Sequence, residues 1–90
     1  MEVYFKDTDN LVKELMDNRF TSEENRIETS VNVIYLITDN NRLICDISIN
    51  KEDGTAYLRP NGEKMSDEQT RKFSDILVRY MLHENQKKNN

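Results

Sequence analysis

Polar and hydrophobic residues alternate most clearly in the middle of the chain, in the stretch VNVIYLITDNNRLICDISIN at residues 31–50. Alternation with a period of two is typical of β-strands, since successive side chains point to opposite faces of a sheet. The pattern predicts a β-hairpin whose core face carries the odd-numbered residues of both strands. These are Ile27, Thr29, Val31, Val33, Tyr35 and Ile37 in the first strand and Leu43, Cys45, Ile47 and Ile49 in the second.

The turn of this hairpin is expected at the sequence DNN, residues 39–41, because asparagine tolerates a left-handed backbone. Odd residues can face odd residues only if the loop contains an odd number of residues. A three-residue loop satisfies this condition. It places Tyr35 opposite Cys45 and Val33 opposite Ile47.

The first strand is also apolar at even positions, which a strand covered on one face does not require. With residues from the other strands, these positions form a cluster on the opposite side of the sheet, here called the second face. The cluster consists of Ile34, Leu36, Ile44 and Tyr57, and Leu36 is expected opposite Ile44. Two arrangements remain open: the helices lie on opposite faces, or both lie on the core face and the cluster is exposed as an interface.

A third strand follows the turn KEDG, and its register depends on the length of that turn. A three-residue loop would put Tyr57 and Arg59 on the core face, whereas a four-residue loop would put Ala56 and Leu58 there. Because a slip of one residue exchanges the two faces of a strand, we favour the register that avoids burying the charge of Arg59.

Helical periodicity appears towards both ends of the chain. A first helix is predicted from Thr8 to about Arg19, with Leu11, Val12, Leu15 and Met16 at helical spacing. A second helix is predicted to begin at Ser66, which forms a capping box with Gln69, and to reach about Asn85. Its apolar stripe is Phe73, Ile76, Leu77, Tyr80 and Met81.

These elements predict an α+β fold, a three-stranded antiparallel β-meander flanked by an N-terminal helix and a longer C-terminal helix. A chain of 90 residues can hold one hydrophobic core but not two. With 36% hydrophobic and 33% charged residues, the composition is that of a folded protein. We therefore expect one domain at residues 1–86 and a frayed polar tail at residues 87–90.

The longest apolar run, VIYLI at residues 33–37, is too short to span a bilayer, and the sequence MEVYFKDTDN lacks the features of a signal peptide. We expect a cytoplasmic protein without membrane association. Asn, Ile and Lys are abundant, while Gly, Pro and Ala together number four. This usage is typical of an AT-rich gene, and hence of a low-GC bacterium or its phage.

The chain has one cysteine and one histidine, Cys45 and His83, from which a thiolate and imidazolium pair could be built. Cys45 is expected to be buried on the core face, and His83 is expected near a helix end that favours imidazolium. Gly-rich phosphate loops and His-rich metal clusters are missing, and DTDN and EDG lack the spacing of a calcium loop. We expect a protein that is not an enzyme, with no metal and no cofactor.

Acidic residues are concentrated between Asp7 and Glu28, which hold seven acids and three bases and thus the entire net charge of −4. The seven acids are Asp7, Asp9, Glu14, Asp17, Glu23, Glu24 and Glu28. One interpretation is that they solvate the surface. The other is an acidic face that captures a basic protein by imitating a nucleic-acid backbone, with Asp17, Glu23, Glu24 and Glu28 as contacts.

Basic residues gather in the C-terminal third, but acidic neighbours lie between them: Lys64, Arg71, Lys72, Arg79, Lys87 and Lys88. Direct binding of nucleic acid would depend on a local stripe of charge on the C-terminal helix. A weak nucleic-acid-binding protein is therefore an alternative and not the main expectation.

In size, acidity and element order the chain resembles some small phage-encoded inhibitors of CRISPR nucleases and restriction enzymes. The resemblance covers no motif and carries over no functional residue; it implies a DNA-mimic-like acidic face that binds a nucleic-acid-binding host defence protein. The main hypothesis is a small acidic module that inhibits or modulates a macromolecular partner. Its expected contacts are Asp17, Glu23, Glu24, Glu28, Ile34, Leu36, Ile44 and Tyr57. The competing hypothesis is a structural or regulatory homodimer assembled through the second face.

Overall fold

The computed structural model describes residues 3–82, which form two α-helices and one five-stranded antiparallel sheet. The predicted α+β class is confirmed, although the sheet has two more strands than expected. The predicted domain limit at residue 86 and the tail at residues 87–90 lie outside the described residues. The elements are β1 (Val3–Phe5), α1 (Thr8–Asp17), a 3₁₀ turn (Glu23–Asn25), β2 (Arg26–Glu28), β3 (Asn32–Asp39), β4 (Arg42–Asn50), β5 (Ala56–Pro60) and α2 (Asp67–Tyr80).

The strands lie in the order β1, β5, β4, β3, β2, so that both additional strands are at the edges of the sheet. β1 is formed by the short apolar start of the chain and pairs with β5, with Val3 opposite Leu58 and Phe5 opposite Ala56. The N-terminal residues thus belong to the core through a strand that the pattern of the sequence did not predict.

β2 and β3 replace the single first strand of the prediction, because the chain reverses between them. The Thr29 hydroxyl accepts hydrogen bonds from the backbone amides of Val31 (3.2 Å) and Asn32 (2.9 Å) and holds this turn. The reversal places Ile27 opposite Ile34. Ile27 therefore lies on the second face, and its expected position on the core face is wrong.

The hairpin of β3 and β4 has a two-residue turn, Asn40 and Asn41, with φ angles of 53° and 65°. The predicted three-residue loop is therefore wrong. Odd residues still face odd residues, because a bulge in β4 adds the residue that the loop lacks. The two predicted pairs are wrong, however, because the register is shifted by two residues: Tyr35 lies opposite Ile47 and not Cys45, and Val33 lies opposite Ile49 and not Ile47. Cys45 lies opposite Ile37.

Ile44 is the extra residue of this bulge, and it belongs to the core, where it is 8% exposed. Its expected position on the second face is therefore wrong. Leu36, which was predicted opposite Ile44, lies opposite Asp46. A bulge turns two successive side chains towards the same side of a sheet, which accounts for the burial of both Ile44 and Cys45.

The hairpin of β4 and β5 has the favoured four-residue loop, residues 51–54, closed by a 2.8 Å hydrogen bond from the Asn50 amide to the Thr55 carbonyl. Ala56 is fully buried, and Leu58 packs against the core. Arg59 lies on the second face, where its Nε donates to Asp46 at 2.8 Å. The register chosen to keep this charge out of the core is confirmed.

α1 begins at Thr8 as predicted but ends at Asp17, two residues early. The chain leaves the helix through Arg19, whose φ of 66° is left-handed, and the Phe20 amide donates to the Leu15 carbonyl at 2.9 Å. This bond turns the chain back, and the side chain of Phe20 becomes fully buried.

α2 begins with the predicted cap, in which the Ser66 hydroxyl accepts a hydrogen bond from the Gln69 amide at 3.3 Å. It ends at Tyr80, short of the predicted Asn85, because Met81 is extended and pairs with Phe5. The Tyr80 carbonyl accepts from the Lys6 amide, and the Leu82 amide donates to the Tyr4 carbonyl, both at 2.8 Å. Residues 80–82 thus cover the outer edge of β1. The remainder of the predicted helix lies outside the described residues.

Both helices pack on the core face. Their buried side chains, Leu11 and Leu15 from α1 and Phe73 and Ile76 from α2, join one cluster with Phe5, Phe20, Ile37, Ile44, Cys45, Ile47 and Ala56. The rings of Phe20 and Phe73 lie 5.2 Å apart between their centroids. The second face therefore has no helix on it among the described residues, so the sequence's alternative of one helix on each face is wrong.

Candidate protein-binding surfaces

The second face carries a row of residues that crosses all five strands. In strand order the row is Tyr4, Tyr57, Ser48, Ile34 and Ile27. The rings of Tyr4 and Tyr57 lie 6.2 Å apart, Ile34 is half-buried by its neighbours, and Ile27 is 46% exposed. Leu36 stands in the next row of the same face. The structure thus brings three predicted residues together, Ile34, Leu36 and Tyr57.

Tyr4 and Ile27 belong to this face although the sequence did not place them there. Tyr4 lies in a strand that was not predicted, and Ile27 lies before a turn that was not predicted. The alternation of the sequence therefore gave no signal for either residue, and only their aromatic or apolar side chains could have indicated them. Beside the apolar row, Asp46 and Arg59 form an ion pair at 2.8 Å. The hydrogen bond that Arg59 donates to Asp46 raises the pKa of the Arg59 guanidinium. Because the pair is neutral as a unit, the second face combines apolar area with little net charge.

Two of the seven acids between Asp7 and Glu28 are bound by cations from other elements. Glu14 accepts hydrogen bonds from the Tyr80 hydroxyl and from Arg79, which hold the pKa of its carboxyl below the ordinary value. Glu28 contacts Lys51 at 2.6 Å and Arg26 at 3.0 Å, and these two cations, Lys51 first, lower its pKa.

The other predicted acidic contacts are exposed and carry no ion pair within residues 3–82. Asp17 ends α1, and Glu23 and Glu24 lie in the 3₁₀ turn before β2. Glu28 lies on the core-face side of β2, since it stands opposite Val33. Asp17 and Glu23 lie on the side of the helices as well, so the acidic contacts and the apolar contacts occupy different sides of the molecule.

A groove of about 390 Å³ lies between α1 and the part of the core face that α1 does not cover. Its apolar lining is Val12, Met16, Val33, Tyr35 and Ile49. Its charged rim is Asp9, Lys13, Glu23 and Arg26. The sequence did not predict this groove, because its residues come from five separate elements.

The basic residues of α2 divide in the structure. Arg79 is bound to Glu14, whereas Arg71 and Lys72 are exposed. Lys87 and Lys88 lie outside the described residues. Direct binding of nucleic acid requires a local stripe of positive charge, and the ion pair with Glu14 removes Arg79 from that stripe.

Cys45 is buried, 2% exposed, as the sequence predicted, and His83, its suggested catalytic partner, lies outside the described residues. Desolvation, together with the charge of Asp46, raises the pKa of the Cys45 thiol to about 12. We expect a thiol reagent to modify Cys45 slowly in the native protein and rapidly in urea, because only the thiolate attacks the reagent. Absorbance of the released thiol product measures both rates. Equal rates in the two states would show that Cys45 is accessible and reactive.

No helix within residues 3–82 is long and apolar enough to cross a membrane. In the same part of the chain, no group of three His, Cys, Asp or Glu side chains is placed to hold a metal ion. Comparison of the chain with models of protein families, with curated proteins and with solved structures found no match.

Proposed function

We propose that this protein is a small acidic binding module that inhibits or modulates another macromolecule, and that its partner docks on the second face. The observation that carries the proposal is the row across five strands, apolar or aromatic except at the buried Ser48, with no helix over it within residues 3–82. An antiparallel sheet that faces water usually has polar side chains on that face. A sheet face on which apolar and aromatic side chains cluster instead marks an interaction surface.

The partner that fits best is a basic, nucleic-acid-binding protein of the kind that anti-CRISPR and anti-restriction inhibitors bind. This is supported by the net charge of −4 and by the exposed carboxylates of Asp17, Glu23 and Glu24. Asp17 and Glu23 lie off the second face, so the field of these carboxylates guides the encounter while the second face supplies the contact area. Complementary charges of this kind chiefly raise the association rate, and salt screens them.

The test replaces Leu36, which lies beside the apolar row on the second face, with aspartate. Partners are first captured from a lysate of a low-GC bacterium with the unmodified protein and identified by mass spectrometry. Biolayer interferometry with the purified partner is then expected to show at least a 30-fold loss of affinity for Leu36→Asp, about the effect of losing one central contact. Circular dichroism checks that the variant remains folded.

The acidic residues are tested separately by Glu23→Lys combined with Glu24→Lys. We expect slower association and a weaker dependence on salt, with little change in the dissociation rate. The matched control is Arg71→Glu with Lys72→Glu, which should leave the binding of a basic partner unchanged or improve it. Unaltered binding by both Leu36→Asp and the acidic reversals would refute the proposal. A second copy is the competing occupant of the second face; in that case Leu36→Asp would dissociate a dimer instead.

A further inference from the structure

The two edges of the sheet differ. Residues 80–82 cover the outer edge of β1 through hydrogen bonds with Tyr4 and Lys6. The outer edge of β2 has no strand beside it among the described residues, and all three of its residues, Arg26, Ile27 and Glu28, are exposed. A free edge of this kind is a template on which another strand can pair.

The backbone groups that β2 offers at this edge follow from its pairing with β3. The Thr29 amide donates to the Asn32 carbonyl at 2.8 Å, which makes Thr29 and Asn32 a hydrogen-bonded pair. Such pairs alternate along an antiparallel ladder, so Ile27 also bonds to β3, whereas the peptide groups of Arg26 and Glu28 point outward. The Arg26 amide donates to the Glu23 carbonyl of the 3₁₀ turn. The Arg26 carbonyl and the Glu28 amide remain directed towards the edge.

The charges of β2 are arranged symmetrically about Ile27, with a cation before it and an anion after it. If two copies of this strand pair antiparallel with Ile27 opposite its own equivalent, Arg26 of each copy stands opposite Glu28 of the other. In a two-fold interface the same surface of both copies is in contact, so that surface must be complementary to itself. β2 meets this requirement. We infer that β2 is a homodimer interface, occupied by β2 of a second copy in this register.

Three sets of interactions hold the two strands together. The Glu28 amide of each copy donates to the Arg26 carbonyl of the other. These are the two backbone groups that point outward from β2 in the alternating hydrogen-bond pattern of an antiparallel sheet. The two Ile27 side chains, each 46% exposed in the single chain, cover one another on the second face. On the opposite side, Arg26 and Glu28 of both copies alternate in sign, and Lys51 of each copy remains beside its own Glu28.

A short edge strand with charges of one sign would prevent pairing, as in many natural sheets. In β2 the signs are opposite at Arg26 and Glu28, so pairing adds attraction and not repulsion. The strand has three residues, and an interface of this size predicts a weak dimer that forms as the concentration rises. The inference does not depend on the proposed partner of the second face.

The test uses two single charge reversals, Arg26→Glu and Glu28→Arg, and sedimentation equilibrium over micromolar to millimolar concentrations. Each variant alone places like charges opposite one another at two positions. We expect each to weaken the dimer at least about tenfold. An equimolar mixture of the two variants restores opposite charges at both positions, and the expected result is a heterodimer about as stable as the original dimer.

Thermal unfolding of each variant verifies that the fold is retained, because both residues are exposed and their ion pairs contribute little to stability. Recovery of the dimer on mixing is a result that a general loss of stability cannot produce. The inference is overturned if the unmodified protein is monomeric throughout, or if the mixture does not recover the dimer. It is equally overturned if Leu36→Asp dissociates the dimer while both charge reversals leave it intact, since the dimer would then use the second face.

Discussion

Replacing Ile47 with alanine is expected to lower the free energy of unfolding by about 2–5 kcal/mol. Ile47 is fully buried in the central strand β4, where it stands between Tyr35 of β3 and Leu58 of β5 on the core face. The loss combines the transfer energy of the removed carbons with the cost of the cavity they leave. Because a domain is stabilised by only about 5–15 kcal/mol in total, urea titration followed by circular dichroism will resolve the shift clearly.

The matched control is the same substitution at Ile27, which is 46% exposed on the edge strand β2. Ile27→Ala is expected to cost less than about 1 kcal/mol, since no cavity forms at an exposed site. The titration is run at low protein concentration, so that self-association does not contribute. Equal losses for the two variants would mean that the core face and the second face are wrongly assigned.

The second large effect is expected from Phe20→Ala, which should cost about 3–5 kcal/mol. Phe20 is fully buried between the end of α1 and α2, with its ring centroid 5.2 Å from that of Phe73. Its backbone is also part of the fold, because the Phe20 carbonyl accepts from the Thr38 amide at 2.9 Å. The substitution removes the ring from a site where three elements meet, and urea titration gives the loss of stability directly.

Phe20→Leu serves as the control, since leucine keeps much of the apolar volume. It should retain most of the stability that alanine loses. A loss below about 1 kcal/mol for Phe20→Ala would show that the contact of α1, α2 and β3 around this ring does not contribute to the core.

Sequence periodicity predicted the elements that repeat over many residues. The hairpin of β3 and β4, the starts of both helices and the cap at Ser66 follow from patterns that each span several positions. The register of β5 followed from one energetic argument, the cost of burying Arg59. Phe20 could not be predicted in this way, because its polar neighbours show no period and its burial depends on how two distant helices meet.

The residues of the second face were predicted only in part. Ile27 and Ile44 lie on the face opposite to the predicted one, and in each case the cause is a local irregularity of the strand. The turn after Thr29 contains no Gly or Pro, yet it moves Ile27 to the second face. The bulge in β4 has no marker in the sequence, yet it moves Ile44 into the core. A period of two assigns faces correctly only as far as the next such irregularity.

For the acidic residues, the sequence predicts exposure but not ion pairing. That most of them are exposed follows from their chemistry. Their chemistry does not show which of them form ion pairs, because Glu14 contacts Arg79 and Glu28 contacts Lys51 only in the tertiary fold. Of the four predicted acidic contacts, Asp17, Glu23 and Glu24 could therefore be recognised as unpaired within residues 3–82 only once the positions of distant cations were known.

The covering of β1 by residues 80–82 determines how far assembly can proceed. Two copies joined at β2, as we propose, would form one continuous ten-stranded sheet, and each outer end of that sheet would be a β1 edge already occupied by its own chain. Growth of a fibre by edge-to-edge addition needs a free strand at both ends of every unit. Within residues 3–82 this protein has one, so the association at β2 that we propose would end at two subunits and would not produce a polymer.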